Sequence, residues 1–284
     1  MRICVVLLVL AGCAPTLGPE PAAVRGADDV RVATWNVHDL FDEVDRVLPP
    51  GELDEVPSPD EVETKLAAVA AVLLRLDADV VLLQEVENGD VLRRLAARAG
   101  YPEARLVEGL DPRGIDVAAL SRLPVDGYVS HLDEVDAGGR RLWPRDCVEV
   151  HVRTAGRPVV VVGTHLSSAL SDDGTRRTLQ AARLREIADA VRASRPGARV
   201  LAGGDLNDVP GSAALAPLAG DGAWRRVADP AVATWGSGPE AERLDDLLAS
   251  ADDVAAVRAA AVVDGGDVRR ASDHRPVVVE VAVR

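Results

Sequence analysis

Arg199-Val200-Leu201-Ala202-Gly203-Gly204-Asp205-Leu206-Asn207-Asp208 is the stretch that decides how this chain folds. A short apolar run of this kind reads as a buried strand. Paired glycines let the backbone approach a ligand closely, and an acid and an amide stand where the run stops. The same pattern recurs along the chain. Val30-Arg31-Val32-Ala33-Thr34-Trp35 runs into Asn36 and His38, and Asp79-Val80-Val81-Leu82-Leu83 runs into Gln84 and Glu85. Val159-Val160-Val161-Val162-Gly163-Thr164 runs into His165, and Asp273 and His274 stand just before Val277-Val278-Val279-Glu280-Val281. Sheet proteins gather their chemistry at such strand ends. Five clusters carrying only metal-ligand and acid/base side chains are more than packing asks for.

Working outward, helical stripes separate some of these runs. Residues 59–76 place Val62, Leu66, Val69, Val72 and Leu73 on one face, with Ser58 or Asp60 as the cap. Residues 89–99 form a second helix closed by Gly100. Residues 175–193 form a third, with Leu179, Ala182, Leu184, Ile187 and Val191 inward, and residues 212–218 a short fourth. Further strands are expected at 103–107, 115–120, 147–152, 244–248, 259–263 and 277–283. Several strands follow one another directly, which excludes a simple βαβ repeat. The pattern predicts an α/β fold with two mixed sheets covered by helices.

The amino terminus has the layout of an export signal. Arg2 precedes an apolar run at residues 3–10, too short to span a bilayer. Leu10-Ala11-Gly12-Cys13 closes it and resembles a bacterial lipoprotein signal, in which Cys13 becomes the lipidated first residue. Residues 1–12 are then the signal peptide, 13–29 a lipidated cysteine and flexible stalk rich in Pro, Ala and Gly, and 30–284 one catalytic domain. Lipid at Cys13 would hold the body at a membrane surface as an exported, anchored protein. With Cys4 removed and Cys13 acylated, Cys147 is alone and no disulfide framework exists; it reads as a small buried hydrophobe.

Net charge is −14 and aromatics make up 2%. Both disfavour a dedicated nucleic-acid binder, which needs Lys and Arg against phosphates or a stacking platform. Neither excludes an enzyme that cleaves nucleic acid with a local basic rim and a metal. Glu85 at a strand end is a hard oxygen ligand suited to Mg²⁺ or Mn²⁺. Asp205 is placed to orient or deprotonate a water, and Asn207 to hydrogen-bond a reacting group. His165 and His274 titrate near neutrality, and Asp245 is placed to fix a histidine tautomer. Gly-x-Ser-x-Gly, phosphate-loop, Cys-x-x-Cys and His-Glu-x-x-His motifs are absent from the sequence.

The ordered set Trp35-Asn36, Gln84-Glu85, Thr164-His165-Leu166, Gly204-Asp205-Leu206-Asn207, Arg243-Leu244-Asp245 and Ser272-Asp273-His274 resembles the endonuclease/exonuclease/phosphatase superfamily. The resemblance runs from about Arg31 to Val283. It implies a four-layer α/β sandwich. It also implies Glu85 as main metal ligand, with Asn36 and Asp273 in the same metal and phosphate cluster. Asp205 would position the attacking water and Asn207 hold the phosphate. His274, oriented by Asp245, would contact the scissile phosphate, and His165 would be the acid for the leaving oxygen. Arg113-Gly114-Ile115-Asp116-Val117 resembles a segment of exported bacterial members, and Asp116 is expected to pair with His165. His38 stands where relatives often carry Asn, Asp or Glu, and Asp246 where an aromatic is common, on the pocket floor.

Arg122, Arg140, Arg141 and Arg145 are expected to rim the cleft, with Trp143 either touching substrate or anchoring a loop. Arg176, Arg177 and Arg183 are expected on a solvated helix face. The implied activity is metal-dependent phosphoric-ester hydrolysis by a monomer, a nuclease first. A phosphatase or phospholipase of sphingomyelinase or inositol-phosphate type, or a non-catalytic surface-binding protein, are the alternatives.

Overall fold

A computed structural model describes residues 28–44, 56–169 and 172–284. The signal, Cys13 and most of the expected stalk lie outside those residues. The chain runs β1 (Asp29–Leu40), α1 (Pro59–Leu76), β2 (Val80–Val86), α2 (Gly89–Ala99), β3 (Glu103–Leu106), β4 (Asp116–Ser121), β5 (Val125–Ser130) and β6 (Cys147–Val152). It continues with β7 (Val159–His165), α3 (Thr175–Ser194), β8 (Arg199–Asp205), α4 (Ala216–Ala219), β9 (Trp224–Arg226), β10 (Asp245–Ser250), β11 (Val257–Val262), α5 (Gly266–Ala271) and β12 (Val277–Ala282). Two six-stranded mixed sheets form, in the orders β11-β12-β1-β2-β4-β3 and β5-β6-β7-β8-β10-β9.

Alternation sorts the side chains into layers. Val80, Leu82, Val117, Val148, Val150, Val161 and Leu201 fill the space between the sheets. Ala33, Val81, Leu83 and Leu120 face the apolar stripe of α1 and α2. Val160, Val162, Val200 and Ala202 face Leu184, Ile187, Ala188 and Val191 of α3. The result is the expected four-layer α/β sandwich. Strands buried on both faces read as continuous apolar runs, which is why they are visible in the sequence.

Local chemistry sets the ends. Ser58 caps α1 in a reciprocal box with Glu61, and Asp77 closes it in the left-handed conformation. Asn88 caps α2 through the amides of Asp90 and Val91, and Gly100 ends it at φ 73°. Differences from the sequence reading fall at edges. The edge strands β5 and β9 were not expected, because short, half-exposed edges carry little alternation. Leu179 is 42% exposed, and Arg177, Gln180 and Ala181 turn inward instead. The fourth helix shrinks to Ala216–Ala219, with turns before it.

Register gathers the strand tips. β7 and β8 run parallel with His165 beside Asp205, and β8 and β10 run antiparallel with Asp205 beside Asp245. In the other sheet Asn36 of β1 lies beside Gln84 of β2. The paired glycines serve this convergence rather than a ligand. A Cβ on Gly203 (φ 155°) would strike the Asp246 carbonyl, and one on Gly204 (φ 134°) the Thr164 carbonyl. Asp246 is likewise structural. It is buried and paired with Arg226 at 2.6 Å and Arg243 at 2.7 Å, away from the cleft.

Candidate active site

Glu85 sits in a register shift of β2 between Gln84 and Val86, at φ 62°. A bulge re-aims a side chain that a regular strand would send elsewhere, and a non-glycine residue held at positive φ marks strain that the surroundings must hold. The carboxylate meets Asn36. The Asn36 amide nitrogen donates to Glu85 Oε1 at 3.0 Å and to Asp205 Oδ2 at 2.9 Å, joining acids from the two sheets. Asn36 Oδ1 accepts from the His38 amide at 2.9 Å, and the Asp39 amide donates to Glu85 Oε2 at 3.0 Å. Burial and the adjacent Glu85 push the Asp39 carboxyl up to about 6. Burial opposes ionisation of Glu85, yet Asn36, Asp39 and Arg113 help hold its carboxyl below the usual range.

Across from this pair, His274 Nδ1 lies 2.8 Å from Asp245 Oδ2, and its Nε2 lies 3.9 Å from Asp205 Oδ2. Burial opposes the charged imidazole, but Asp245, Asp205 and Asp273 outweigh it and raise His274 to about 10. Thr234 Oγ1 accepts from the amide of Asp245 at 2.9 Å, fixing the acid's strand. Asp205 is raised to about 7 by its burial and by Asp245, against the pull of His274 and Asn36. The Asn207 amide N–H donates to Asp205 Oδ1 at 2.9 Å, and its side chain donates one hydrogen to the Leu166 carbonyl. The second amide hydrogen of Asn207 is left for a ligand.

His165 is arranged differently. Its Nε2 accepts from Arg145 Nη1 at 2.6 Å and lies 3.4 Å from Asp205 Oδ2. Full burial, then Arg145, drive it well below the usual histidine range. A neutral imidazole that accepts at Nε2 has no proton to give from that atom. The expected Asp116–His165 pair is not formed among the described residues. Asp116 Oδ1 accepts from the Gly109 amide at 2.8 Å instead, and His165 Nδ1 has no partner. Burial pushes Asp116 up to about 8, so it carries no charge to offer an imidazole at neutral pH.

The cleft has a volume of about 910 Å³ and brings Glu85, His165, Asp205, Asn207, Asp273 and His274 to one wall. Asp273 is held there by Trp235 Nε1 at 2.9 Å and by His38 at 3.4 Å. Arg113, Arg140, Arg145 and Arg176 line the same cleft, Arg113 3.8 Å from Glu85 and Arg145 2.6 Å from His165. Arg122 is elsewhere, paired with Asp77 and stacked on Tyr101. Arg141 pairs with Asp133, and Trp143 is buried as a loop anchor, donating to Glu134. Arg177 is a buried tie to Asp208 and Ser167 rather than a solvated cation. Sequence reading missed Asp39, Trp235 and Thr234. Asp39 lies in the irregular end of β1 and the other two in the segment before β10, so their places depend on the sheet register and no periodicity marks them.

Two groups of side chains offer candidate metal ligands. The ligand atoms of Asp205, Asp245 and His274 lie within 4.8 Å of one another. His274 spends Nδ1 on Asp245 and is cationic, which makes this group a charge dyad rather than a cage. Glu85, Asp39 and Asp273, with Asn36, offer a second donor set around His38, which lies 3.8 Å from Asp39 and 3.4 Å from Asp273. Their oxygens are hard donors, and Glu85 and Asp39 titrate apart because they share one site, although Arg113 approaches both. That donor set fits a divalent ion such as Mg²⁺ or Mn²⁺.

A two-sheet sandwich with paired acids and a His–Asp dyad at one edge defines the class of the phosphoester hydrolases with this layered fold. The chain belongs to the Endonuclease/Exonuclease/phosphatase family, whose pattern matches residues 33–274. Members hydrolyse phosphoesters and use divalent metals. The fold is similar to that of the human Nocturnin catalytic domain with bound sulfate, at 16% identity and TM-score 0.66 over 90% of this chain and 95% of that one. It is similar to truncated Caenorhabditis elegans TDP2, at 18% identity and TM-score 0.61 over 89% and 98%. It is also similar to sphingomyelinase C from Streptomyces griseocarneus, at 21% identity and TM-score 0.57 over 89% and 99%. A search of curated proteins by sequence finds no match.

Proposed function

We propose that the protein is a metal-dependent phosphodiesterase that cleaves nucleic acid. The observation that carries this reading is the Asn36 amide bridging Glu85 and Asp205, whose Oδ2 lies 3.9 Å from Nε2 of the cationic His274. Glu85, Asn36 and Asp273 would hold the divalent ion, which when bound would supply charge neutralisation for the phosphoryl group. The chain's own groups do the rest. Asp205, poised near neutrality, takes a proton from the attacking water. His274 directs its Nε2 proton at a phosphoryl oxygen, with Asp245 holding its orientation and charge. Asn207 offers its second amide hydrogen to the phosphate. Arg145 presents a guanidinium beside His165, and an arriving phosphate oxygen competes with the imidazole for that donor.

Nucleic acid is favoured over a lipid headgroup by the four arginines along the cleft, since repeated phosphates reward repeated guanidiniums. Among the described residues, no helix is long and apolar enough to cross a membrane. Export and anchoring through lipid on Cys13 remain part of the proposal. Cys13→Ser should release the chain from the membrane fraction, and retention of that variant on membranes would refute the anchor. The activity is tested with plasmid DNA, bis-p-nitrophenyl phosphate, p-nitrophenyl phosphate and sphingomyelin, in Mg²⁺ or Mn²⁺. DNA nicking is expected, and turnover of the monoester or the lipid alone would move the protein to another branch of its family.

A further inference from the structure

We propose that Lys65 is a positioning residue of the acidic cluster, bolting the irregular turn at His38 and Asp39, within the end of β1, to the segment that carries Asp273 and His274. The proposal rests on the reading of the cleft as a divalent-ion site. Of the 32 Lys and Arg residues in the chain, Lys65 is the only lysine. Wherever else the protein places a long cationic side chain, arginine serves. The exception lies on α1, and its ammonium donates to the His38 carbonyl at 2.7 Å and to the Ala271 carbonyl at 2.8 Å.

Both carbonyls belong to segments that meet at Asn36. On one side, His38 and Asp39 are held at φ 54° and 52°, conformations that strain non-glycine residues. The strained turn is productive. It aims the His38 amide at Asn36 Oδ1 and the Asp39 amide at Glu85 Oε2. On the other side, Ala271 leads into Ser272, whose hydroxyl donates to the Asn36 carbonyl at 2.8 Å and accepts from the His274 amide at 2.9 Å. Lys65 therefore closes a ring of hydrogen bonds around Asn36 that no other side chain among the described residues completes. Its remaining charge falls on Asp39, Asp273 and Glu85, the three acids that oppose its desolvation.

The residue type follows from the geometry. An ammonium is a compact point with three tetrahedral donors, able to satisfy carbonyls approaching from two directions. A guanidinium is a longer planar fork suited to one bidentate partner, and it overshoots both oxygens. A fixed cation also repels a metal ion. That term is weakened by solvent, because Asp39 and Asp273 side chains are 32% and 41% exposed. Loss of the strained turn is the larger effect, so removing Lys65 weakens ion binding.

The test uses the full chain and titrates MgCl₂ and MnCl₂ by calorimetry, beside hydrolysis of bis-p-nitrophenyl phosphate. The variants are Lys65→Met, Lys65→Arg, and Lys65→Cys alkylated with 2-bromoethylamine, which rebuilds an ammonium at nearly the same reach. Wild type treated with the same reagent controls for the other cysteines. Lys65→Met and Lys65→Arg are expected to lose about tenfold or more in ion affinity, in the range that outer-shell ligand supports command. Half-activating Mg²⁺ should rise in parallel, and the alkylated cysteine should recover both. Wild-type ion affinity in Lys65→Arg, or no recovery on alkylation, overturns the proposal, and these two variants decide the matter even if Lys65→Met fails to fold. A wild-type chain that binds neither ion defeats the reading of the cleft itself, which separates the two failures.

Discussion

At the scale of residues, the site is a set of titrating groups pushed apart by their surroundings. Asp205 at about 7 and His274 at about 10 give an acid that still accepts protons beside an imidazole that keeps its own. Activity of the metal-free-prepared, Mg²⁺-restored protein is expected to rise with pH up to about 7 as Asp205 ionises, measured as kcat/KM; a flat profile from pH 5 to 8 would remove Asp205 as base. His274 also links folding to pH. Its folded value lies above the unfolded one, so the stabilisation is complete below about 6.5 and is lost as pH rises through about 10. Denaturant titrations at pH 7 and 10 should therefore show a steeper alkaline loss in wild type than in His274→Ala. Asp116→Asn is expected to keep the Gly109 contact and leave turnover within about threefold of wild type, whereas a loss of about a hundredfold would restore the catalytic role read from the sequence. That reading placed the polar strand ends correctly because buried β-branched runs announce themselves. It could not see that Asp116 is spent on a loop amide, since a hydrogen bond across 7 residues of loop leaves no pattern in the sequence.

At the scale of elements, the loop between β5 and β6 decides what the cleft presents. It carries Arg140 and Arg145 to the substrate side and is pinned by Glu134. That carboxylate accepts from Arg183 of α3 at 2.6 Å, from Trp143 Nε1 at 3.0 Å, and pairs with His131 at 3.0 Å. Removing its charge in Glu134→Gln should cost about 1–3 kcal/mol of stability and raise KM for a phosphodiester while sparing kcat. A fall in kcat with unchanged KM would mean that the loop does not present the arginines. This loop was only half legible. Its arginines were visible as a cluster, but the sorting of Arg145 inward and Arg141 outward depends on the anchor at Glu134, three turns of chain away. Helices α1, α2 and α3 were read to within a residue or so, since capping and the 3.6-residue period are local; the short α4 was misplaced and α5 missed, and edge strands depend on partners far along the chain.

At the scale of the whole molecule, two mixed sheets place side chains from β1, β2, β7, β8 and β10 at one edge, so no single element holds the site. A ligand that binds only the folded state stabilises it by mass action. Adding Mg²⁺ to chelator-stripped protein should raise the melting midpoint, and Glu85→Gln should abolish that rise; an equal rise in the variant would place the ion elsewhere. The molecule as a whole carries a net charge of −14, so its hold on a polyanion depends on the local rim of arginines and the ion rather than on the long-range field. Cleavage of DNA should accordingly fall as salt rises, more steeply than hydrolysis of a small diester.

The most direct measurement compares plasmid nicking by the full chain and by His274→Ala, each with and without Mg²⁺. The account predicts nicking by wild type only when Mg²⁺ is present, and a loss of about a hundredfold or more in the variant. Nicking that survives chelation, or that His274→Ala retains in full, would contradict it.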